Sequence, residues 1–557
     1  LMESGSVVQL ITRPRRFGKT LFMDTLHRFL EINPQNPGDA SKQKALFANF
    51  NISKDQKFCT QFMGQYPVLF VSLKDFKGLD FNSARIEFAH TLLQKTQSYS
   101  YLFDSPKLSS FDKEFLNNCC SLEFLKNPDN FDIAKNYLTY MVQILAKHYD
   151  RQVVLLIDEY DVPLQKSIKA GYYKEMLAFM QSFLALLRSS SDLRVNDRQA
   201  LRKTILTGCL RVSKASIFSD VNNFDVNSVS VQGGYLSAAI GFTEQEVHHL
   251  LDYYGLKGQK SIVKEWYEGY QIGTSVIYCP WDVIRFCEDI QNLDIDSKKF
   301  KPMNYWAETS SNDVIEEFLG FISSEDADRM QTLVDGGEIE IQVNDQLTYG
   351  DFKKHRSEDF WTLLLYTGYL TITEILGKGH YKLRIPNLEI RETFSSRIRS
   401  YFSDENEWYI QRSDAVADSF FKGDAINVKT KLSELLGNYV FVRDIATKAI
   451  AENYYHGFLM SLLSSSDKVQ NLLSNKEARD GYADMLFTSP GAIVGIVLEI
   501  KHCNNVKSLT VEANKAIEQI KEKRYIQGLE GYACSQIFGF GIAFCQKACV
   551  VIAKELL

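Results

Sequence analysis

Two groups of residues that can act on phosphates lie near opposite ends of this 557-residue chain. Residues 13–20 read RPRRFGKT, which has the order of a phosphate-binding loop. Near the other end, Asp484 is followed by the run EIK at 499–501, a pattern of carboxylates and lysine that suits a metal-assisted attack on a phosphate ester. Together the two groups favour a protein that binds a nucleotide and cuts a nucleic acid.

The N-terminal loop has the chemistry of a polyphosphate site. Its place between an apolar run at 7–11 and a helical pattern at 21–32 predicts a strand, a turn and a helix. Backbone N–H groups at the start of such a helix attract phosphate. Lys19 is expected to reach the β- and γ-phosphates, and the Thr20 hydroxyl to ligate Mg²⁺. Because Arg13 stands where this loop usually has its first glycine, a helix N-terminus with a chance GKT triplet is the alternative interpretation.

Two acidic residues follow the apolar run at 153–157, which predicts a buried strand. At the carboxyl edge of a parallel sheet, Asp158 is expected to hold Mg²⁺ through water and Glu159 to polarise the attacking water. Thr207 ends the next predicted strand, where a polar side chain can sense the γ-phosphate, and Arg211 is a candidate for stabilising its charge. A strand that ends in solvated acids, and a surface arginine, are the alternatives.

The C-terminal group is expected on two consecutive strands at 482–487 and 493–500. Side chains two apart on a strand share a face, so Glu499 and Lys501 are expected to converge with Asp484. Two carboxylates can hold one or two Mg²⁺ ions, and the lysine can position or help to deprotonate the attacking water. Since the D…ExK spacing is common, strands with exposed charges are the alternative interpretation.

Further elements flank these two strands. The predicted order is a helix at 446–463, the two strands, a helix that carries Gln519 and Lys523, and strands at 538–544 and 548–553. The first helix carries His456, which we expect to pack or to form a hydrogen bond rather than to ligate metal. Cys503 is expected to play no part.

Composition sets limits on the class of protein. A chain of this length is too long for one hydrophobic core. Its hydrophobic fraction of 45% and charged fraction of 24% are ordinary for a globular protein. The net charge of −6 gives no global attraction to nucleic acid, so any such binding must depend on local basic patches.

The ten cysteines have no metal-ligand spacing; Cys119 and Cys120 are adjacent, and Cys545 and Cys549 are close, without an accompanying histidine. Reduced, mostly buried thiols and a cytoplasmic location are therefore expected. The sequence shows no membrane-spanning run and no signal peptide. Because the chain begins at Leu1, shortly before strand-like sequence, we expect an upstream segment.

Strand-like runs at 7–11, 67–73, 153–157 and 204–208, separated by helical stretches, predict an α/β protein with a largely parallel sheet in its first part. The pattern changes near 242, where Thr243 is expected to cap a helix. The predicted domains are a core at 1–241, a mainly helical accessory region at 242–402, a polar linker at 403–440 and a C-terminal domain at 441–557.

Several stretches resemble a known family. The runs ITRPRRFGKTLFMDTL, LLIDEYDVPL, LTGCLRVSKASIFSDVNN, WYEGYQIG, YCPWDVI, YWAETSSN, LLYTGYL and LRIPN are similar to the AAA-ATPase-like family that often carries a C-terminal PD-(D/E)XK nuclease domain. That family also has RPRRFGK in its loop. The resemblance covers nearly the whole chain and implies a P-loop NTPase core with a parallel sheet, a helical lid-like region and a restriction-endonuclease-like C-terminal α/β domain.

The resemblance implies ATP and Mg²⁺ as cofactors. The candidate nucleotide-binding residues are Arg16, Phe17, Gly18, Lys19, Thr20, Asp158, Thr207 and Arg211, with Thr20 and Asp158 at Mg²⁺. The candidate catalytic residues are Glu159, Asp484, Glu499, Lys501 and Gln519, with Asp484 and Glu499 as metal ligands and with Lys523 and Tyr525 also matched. Glu452 and Glu477 are candidate supplementary acids. The sequence ARDGYAD departs from a more basic GRxD form, although Arg479 is near.

Three hypotheses about function follow. The first is an ATPase-coupled, Mg²⁺-dependent nuclease that acts on DNA or RNA, in defence or mobile-element biology, with ATP controlling access to the C-terminal site. The second is a nucleotide-gated switch whose nuclease-like domain binds nucleic acid without cutting. The third is a remnant with neither activity, against which the intact GKT, DE and D…ExK groups argue. A homo-oligomer formed through the ATPase core is also expected, and no membrane partner.

Overall fold

The computed structural model divides into two compact units, Leu1–Ile315 with Gly336–Thr393, and Glu316–Asp335 with Phe394–Leu557. The structure describes residues 1–188, 193–210, 218, 221, 224–230, 236–292, 302–306, 324–334, 336–344, 347, 350–351, 356–395, 407–439, 448–478, 481–503, 505–532, 534–545 and 548–557. Among these residues, no helix is long and apolar enough to cross a bilayer.

The first part of the chain alternates strands and helices. Its elements are β1 (Val8–Thr12), α1 (Lys19–Leu30), α2 (Ser41–Leu46), α3 (Gln56–Phe62), β2 (Val68–Ser72), α4 (Phe81–Gln97), α5 (Ser110–Cys119), α6 (Leu122–Lys126), α7 (Phe131–Lys135), α8 (Tyr137–Tyr149), β3 (Val153–Asp158), α9 (Val162–Lys169), α10 (Tyr173–Phe183), β4 (Arg194–Val195), β5 (Arg198–Gln199), β6 (Leu201–Gly208) and β7 (Phe224–Asn227).

Five of these strands form a parallel sheet in the order β2-β3-β6-β1-β7. Every residue of β1 and β3 is buried, which is typical of strands covered by helices on both faces. The four strands predicted from apolar runs are confirmed. The sequence did not indicate β7, because its four residues FDVN are only half-buried and include no apolar run.

The sheet order decides which strand ends lie together. Because β6 lies between β1 and β3, the carboxyl ends of these three parallel strands meet at one edge of the sheet. This is the edge at which open α/β sheets bind ligands. Thr12, Asp158 and Gly208 end the three strands there.

The rest of the first unit contains helices and two small sheets. The elements that follow along the chain are α11 (Glu244–Tyr253), α12 (Lys260–Tyr267), β8 (Tyr270–Ile272), β9 (Ser275–Ile277), α13 (Pro280–Asn292), α14 (Ser324–Val334, assigned to the second unit), β10 (Ile339–Gln342), α15 (Ser357–Thr367), β11 (Thr371–Gly377) and β12 (His380–Arg384). Strands β8 and β9 pair as a hairpin, and β10, β12 and β11 form an antiparallel sheet. The predicted cap at Thr243 is confirmed, since Thr243 and Glu246 form a capping box.

The second unit is built on a mixed sheet. Its remaining elements are α16 (Glu407–Phe421), α17 (Ala425–Tyr439), α18 (Lys448–Ser464), β13 (Gln470–Ala478), β14 (Gly481–Thr488), β15 (Val494–His502), α19 (Leu509–Glu522), β16 (Gln536–Cys545) and β17 (Ala548–Glu555). The strands lie in sequence order; β15 and β16 are parallel, and the other neighbours are antiparallel. The predicted helix–strand–strand–helix–strand order is confirmed, with β13 as an additional edge strand.

The region 403–440, which we expected to be a linker, contributes two packed helices. Val416 and Phe420 of α16, and Val428 and Leu432 of α17, are fully buried in a core that they share with the mixed sheet. Residues four apart lie on one face of a helix, so these positions form apolar stripes within a polar sequence. The average polarity of this region therefore indicated a linker, whereas its sequence forms two amphipathic helices.

Helix α19 packs closely on β16 through a glycine. A Cβ added to Gly541 would lie 2.4 Å from the carbonyl oxygen of Ala513 and 2.9 Å from the backbone nitrogen of Ile517. Because the contacts are backbone atoms, Gly541→Ala is expected to destabilise this unit by about 1–3 kcal/mol. Hydrogen exchange of the β15 and β16 amides measures the loss. Gly531→Ala is the control, since nothing lies within 4 Å of its added Cβ; equal exchange in the two variants would contradict the close contact.

Candidate functional sites

The N-terminal loop connects the end of β1 to the start of α1, as its sequence predicted. Gly18 has a φ of 87° and Arg16 a φ of 69°, both left-handed. Glycine adopts this conformation readily, whereas at Arg16 it is strained and must be held by surrounding contacts. Among the described residues, no side chain caps the N-terminus of α1. The first-turn N–H groups of this twelve-residue helix therefore suit an anion.

Lys19 lies inside the loop. Its Nζ donates to the carbonyl oxygens of Arg13 at 3.0 Å and Pro14 at 2.9 Å, and lies 3.5 Å from Sγ of Cys209. The side chain is buried. Its ammonium is held by carbonyl oxygens of the loop's own backbone. This places the predicted phosphate-binding cation at the centre of the turn.

One carboxylate links the N-terminus of α1 to the carboxyl ends of β3 and β6. Asp158 accepts a hydrogen bond from the Thr20 hydroxyl at 2.7 Å through Oδ2, and another from the Thr207 hydroxyl at 2.6 Å through Oδ1. Asp158 is fully buried. The structure thus brings together three predicted residues from three separate elements, and their oxygen atoms are of the kind that Mg²⁺ prefers.

Glu159 follows Asp158 in an unusual conformation. Its φ is 54°, which is strained for a residue other than glycine and is common at active sites. Burial raises the pKa of Glu159; the charge of Lys19 lowers it, and the charge of Asp158 raises it again. A carboxyl group with a raised pKa holds a proton more readily, which suits a general base.

Arg13, which stands where this loop usually has its first glycine, packs inside the first unit. Its side chain is fully buried, and the guanidinium donates to the Asn227 Oδ1 at 2.7 Å and to the carbonyl oxygen of Leu236 at 2.8 Å. Burial lowers the pKa of Arg13 to about 10. The side chain therefore joins the loop to the end of β7.

Two other predicted loop residues contact the later part of the first unit. The Phe17 ring packs edge-on against Tyr270, with ring centroids 4.8 Å apart. The Arg16 guanidinium donates to the carbonyl oxygen of Tyr305 and lies 5.7 Å from the Trp281 ring centroid. Their contribution to nucleotide binding stays a prediction. Arg211 lies outside the described residues.

Asp161 is a residue of this site that the sequence did not single out. It is buried, and its Oδ2 accepts hydrogen bonds from the backbone N–H groups of Cys209 at 3.0 Å and Leu210 at 2.9 Å. It therefore fixes the segment that follows β6. The third acid of the run DEYD was the available signal, but only the fold shows that it faces this segment.

In the C-terminal unit, the candidate site lies where β14 and β15 separate. Thr488 of β14 pairs with Gly495 of β15, and the pairing continues as far as Met485 and Leu498. Beyond this last pair, Asp484 Oδ2 accepts a hydrogen bond from the backbone N–H of Ile500 at 2.7 Å. His456 Nε2 lies 3.0 Å from the carbonyl oxygen of Asp484, and because a carbonyl oxygen only accepts, the histidine is the donor. Two side chains thus satisfy backbone groups that the ladder no longer pairs.

Glu499 and Lys501 lie on the same face of β15, as predicted. Lys501 Nζ donates to Glu499 Oε1 at 2.9 Å. Glu499 Oε2 is buried and has no hydrogen-bond partner among the described residues. Burial raises the pKa of Glu499 to about 7, the charge of Asp484 also raises it, and Lys501 lowers it. A buried acceptor without a donor is a suitable ligand for a cation.

Two of the remaining candidates of this unit are hydrogen-bonded to each other, and the third is exposed. Gln519 Nε2 donates to the Tyr525 hydroxyl at 3.0 Å. Burial raises the pKa of Tyr525, the hydrogen bond from Gln519 lowers it, and the charges of Glu499 and Asp484 raise it again. Lys523 is exposed at the end of α19.

The candidate supplementary acids lie on two other elements of this unit. Glu452 lies on α18 and Glu477 on β13, but their side chains are outside the described part, as is Arg479 altogether. Cys503 Sγ donates to the carbonyl oxygen of Asn505 at 3.3 Å. Within the described ranges, no group of three or more His, Cys, Asp or Glu side chains is arranged to hold a metal. The two carboxylates fit Mg²⁺, which commonly binds one or two carboxylates and completes its shell with water and phosphate oxygens.

Metal affinity at this site is expected to depend on pH. Because the pKa of Glu499 is about 7, a proton competes with metal below that pH and lowers the affinity for Mn²⁺ by about tenfold per pH unit. Calorimetric titration of the full chain at pH 6 and pH 8 measures the change. In Glu499→Gln the dependence should disappear; the same dependence in this variant would assign it to another group.

The comparisons with known proteins agree with this geometry. Residues 1–218 match the family described as "Predicted AAA-ATPase", and residues 450–554 match the PD-(D/E)XK nuclease superfamily. A protein of Azotobacter chroococcum mcd 1, described as "Uncharacterized protein in vnfD 5'region", is 24% identical over 546 residues, which cover 94% of this chain and 87% of the relative. The alignment therefore extends over both matched segments. The chain combines an AAA-ATPase-like domain at residues 1–218 with a C-terminal domain of the PD-(D/E)XK nuclease superfamily at residues 450–554, as the sequence resemblance predicted.

Proposed function

We propose that this chain binds and hydrolyses ATP in its first unit and cleaves a nucleic acid with Mg²⁺ in its second. The observation that carries the proposal is the convergence of Asp484, Glu499 and Lys501 at the point where β14 and β15 separate, with Glu499 Oε2 buried and unpartnered in the described structure. A buried carboxylate oxygen that lacks a donor is costly unless the group binds a proton or a cation.

In the first unit, the loop residues orient the nucleotide. Lys19 leaves its carbonyl partners to bind the β- and γ-phosphates, and Thr20 and Asp158 hold the magnesium ion and its water. Glu159 orients and deprotonates the attacking water. Thr207, which shares Asp158 with Thr20, senses the γ-phosphate.

In the second unit, Asp484 and Glu499 hold Mg²⁺ and Lys501 orients the attacking water. When bound, Mg²⁺ lowers the pKa of water and offsets charge on the scissile phosphate. The Lys501 ammonium donates one hydrogen bond to Glu499, and as a group with three N–H donors it can also donate to the attacking water. Gln519 donates to the Tyr525 hydroxyl, whose pKa the charges of both carboxylates raise.

ATP binding is proposed to control the cleavage step. The presence of both domains in one chain supports this coupling. A role in defence or mobile-element biology belongs to the same proposal. Self-association through the ATPase domain belongs to the same proposal. The alternative is a nucleotide-gated switch whose second unit binds nucleic acid without cutting it.

Labelled single- and double-stranded DNA and RNA, incubated with the full chain, test the proposal. Cleavage should require Mg²⁺ or Mn²⁺, change with ATP, and disappear in Asp484→Ala and Lys501→Ala. Binding without metal-dependent cleavage would favour the switch, and cleavage that survives both substitutions would place the chemistry elsewhere. Sedimentation with and without ATP measures self-association.

A further inference from the structure

A row of polar side chains lies at the carboxyl edge of the parallel sheet, across the neighbouring strands β2, β3 and β6. Ser72, the last residue of β2, pairs with Asp158 of β3. Asp158 in turn accepts the hydrogen bond from Thr207 of β6. Because directly opposite residues of parallel strands place their side chains on one face, Ser72 and Asp158 share a face of the sheet. The row therefore extends the candidate nucleotide site by one strand, to a serine that the sequence did not single out.

Helix α1, which follows the phosphate-binding loop, covers this face at two points. The ring of His27 packs against Phe70 of β2, with centroids 5.6 Å apart. Ser72 follows Phe70 by two residues and therefore lies on the same side of the strand. One strand further in, the Thr20 hydroxyl at the start of the helix donates to Asp158 at 2.7 Å. Two separate contacts thus place Ser72 and Asp158 on the face of the sheet that α1 covers.

The hydroxyl of Ser72 is buried, and its Oγ has no hydrogen-bond partner among the described residues. Such an atom costs stability unless water, an ion or a ligand supplies the missing partner. Asp158 differs from it, since each of its two oxygens accepts a hydrogen bond from a hydroxyl. Within the described part of the row, Ser72 therefore offers an open hydrogen-bonding group, on the side of Asp158 opposite to Thr207.

We propose that the Ser72 hydroxyl binds a water molecule of the Mg²⁺ shell at the nucleotide site and thereby strengthens the metal-dependent part of ATP binding. Mg²⁺ loses its waters reluctantly and usually keeps several of them when it binds to a protein. A metal-bound water donates hydrogen bonds, and a serine hydroxyl can accept one. Ser72 lies beside Asp158, which is proposed to hold the ion and its water. The inference rests on the proposed nucleotide site and adds to it a residue from a further strand.

Equilibrium titration of the full chain with a fluorescent ATP analogue, once in Mg²⁺ and once in EDTA, tests the proposal. Ser72→Ala should weaken binding in Mg²⁺ by about three- to tenfold, as expected for one lost hydrogen bond, and should leave the affinity in EDTA unchanged. Thr204→Val is the matched control. Oγ1 of Thr204 is also buried and without a partner among the described residues, but this residue lies in the interior of β6. Its affinities should equal those of the unsubstituted chain under both conditions.

Thermal unfolding without nucleotide or metal separates binding of a ligand from a role in the fold. A hydroxyl without a partner adds no stability, so Ser72→Ala should keep or raise the Tm of the chain. A lower Tm would assign the hydroxyl to the fold and overturn the proposal, as would equal losses of affinity in Mg²⁺ and in EDTA. If Mg²⁺ strengthens ATP binding equally in Ser72→Ala and the unsubstituted chain, this inference alone fails. If the unsubstituted chain shows no metal-dependent binding of ATP, the proposed nucleotide site fails and the inference fails with it.

Discussion

Replacing Lys19 with alanine is expected to weaken the binding of ATP·Mg²⁺ by about 100-fold or more. Lys19 Nζ makes two hydrogen bonds to loop carbonyls within 3.0 Å, and on binding it exchanges them for charged bonds to phosphate. Hydrogen bonds to charged groups contribute about 1.5–3 kcal/mol each, so the loss of two amounts to at least two orders of magnitude. Equilibrium titration with a fluorescent ATP analogue measures the change.

The control for this prediction is Lys57→Ala, which removes an exposed lysine of α3 in the same unit. Its affinity for ATP should match that of the unsubstituted chain. An unchanged affinity in Lys19→Ala would mean that the loop is only the N-terminus of a helix, which was the alternative interpretation of the GKT triplet. Reduced binding in both variants would indicate a general electrostatic effect.

Replacing Glu499 with glutamine is expected to lower metal-dependent cleavage by about 1,000-fold, which corresponds to about 4 kcal/mol of transition-state stabilisation. Glutamine keeps the size of the side chain and an oxygen for Lys501, but it removes the negative charge that a metal ion requires. Cleavage of the preferred nucleic acid at saturating Mg²⁺ measures the effect. Glu518→Gln is the control, because Glu518 is exposed on α19 and pairs with Lys521.

The stability of Glu499→Gln distinguishes a chemical loss from unfolding. The folded-state pKa of Glu499 is about 7, above its ordinary value of 4.5. The stability that this shift contributes is present below pH 4.5 and is lost as the pH rises through 7. At pH 8 the folded protein therefore bears the cost of a buried charge, and the glutamine variant is expected to resist unfolding at least as well. Lower stability at pH 8 would contradict the burial of an ionised Glu499.

The local signals in the sequence predicted much of the fold. Apolar runs indicated β1, β2, β3 and β6, because strands covered on both faces need continuous apolar sequence. The loop at 13–20 was recognisable for a similar reason, since its chemistry depends on consecutive backbone groups. The half-exposed β7 and the edge strand β13 gave weaker patterns, and the polar helices α16 and α17 were taken for a linker.

The arrangement of the sites depended on residues far apart in sequence. The spacing of Asp484, Glu499 and Lys501 predicted a shared face, but only the end of the β14–β15 pairing shows why Asp484 turns its carboxylate to the Ile500 N–H. Likewise, no spacing rule indicated that Asp161 holds the backbone after β6.

The sequence by itself determined the two groups of phosphate chemistry and the strands and helices that carry them, because those features depend on neighbouring residues and on local periodicity. The tertiary structure alone decided what surrounds them. It placed Arg13 in the position of a glycine as a buried link to β7, and it packed the Phe17 ring of the loop against Tyr270. The physical reason is that burial and charge pairing are set by residues brought together only when the chain folds.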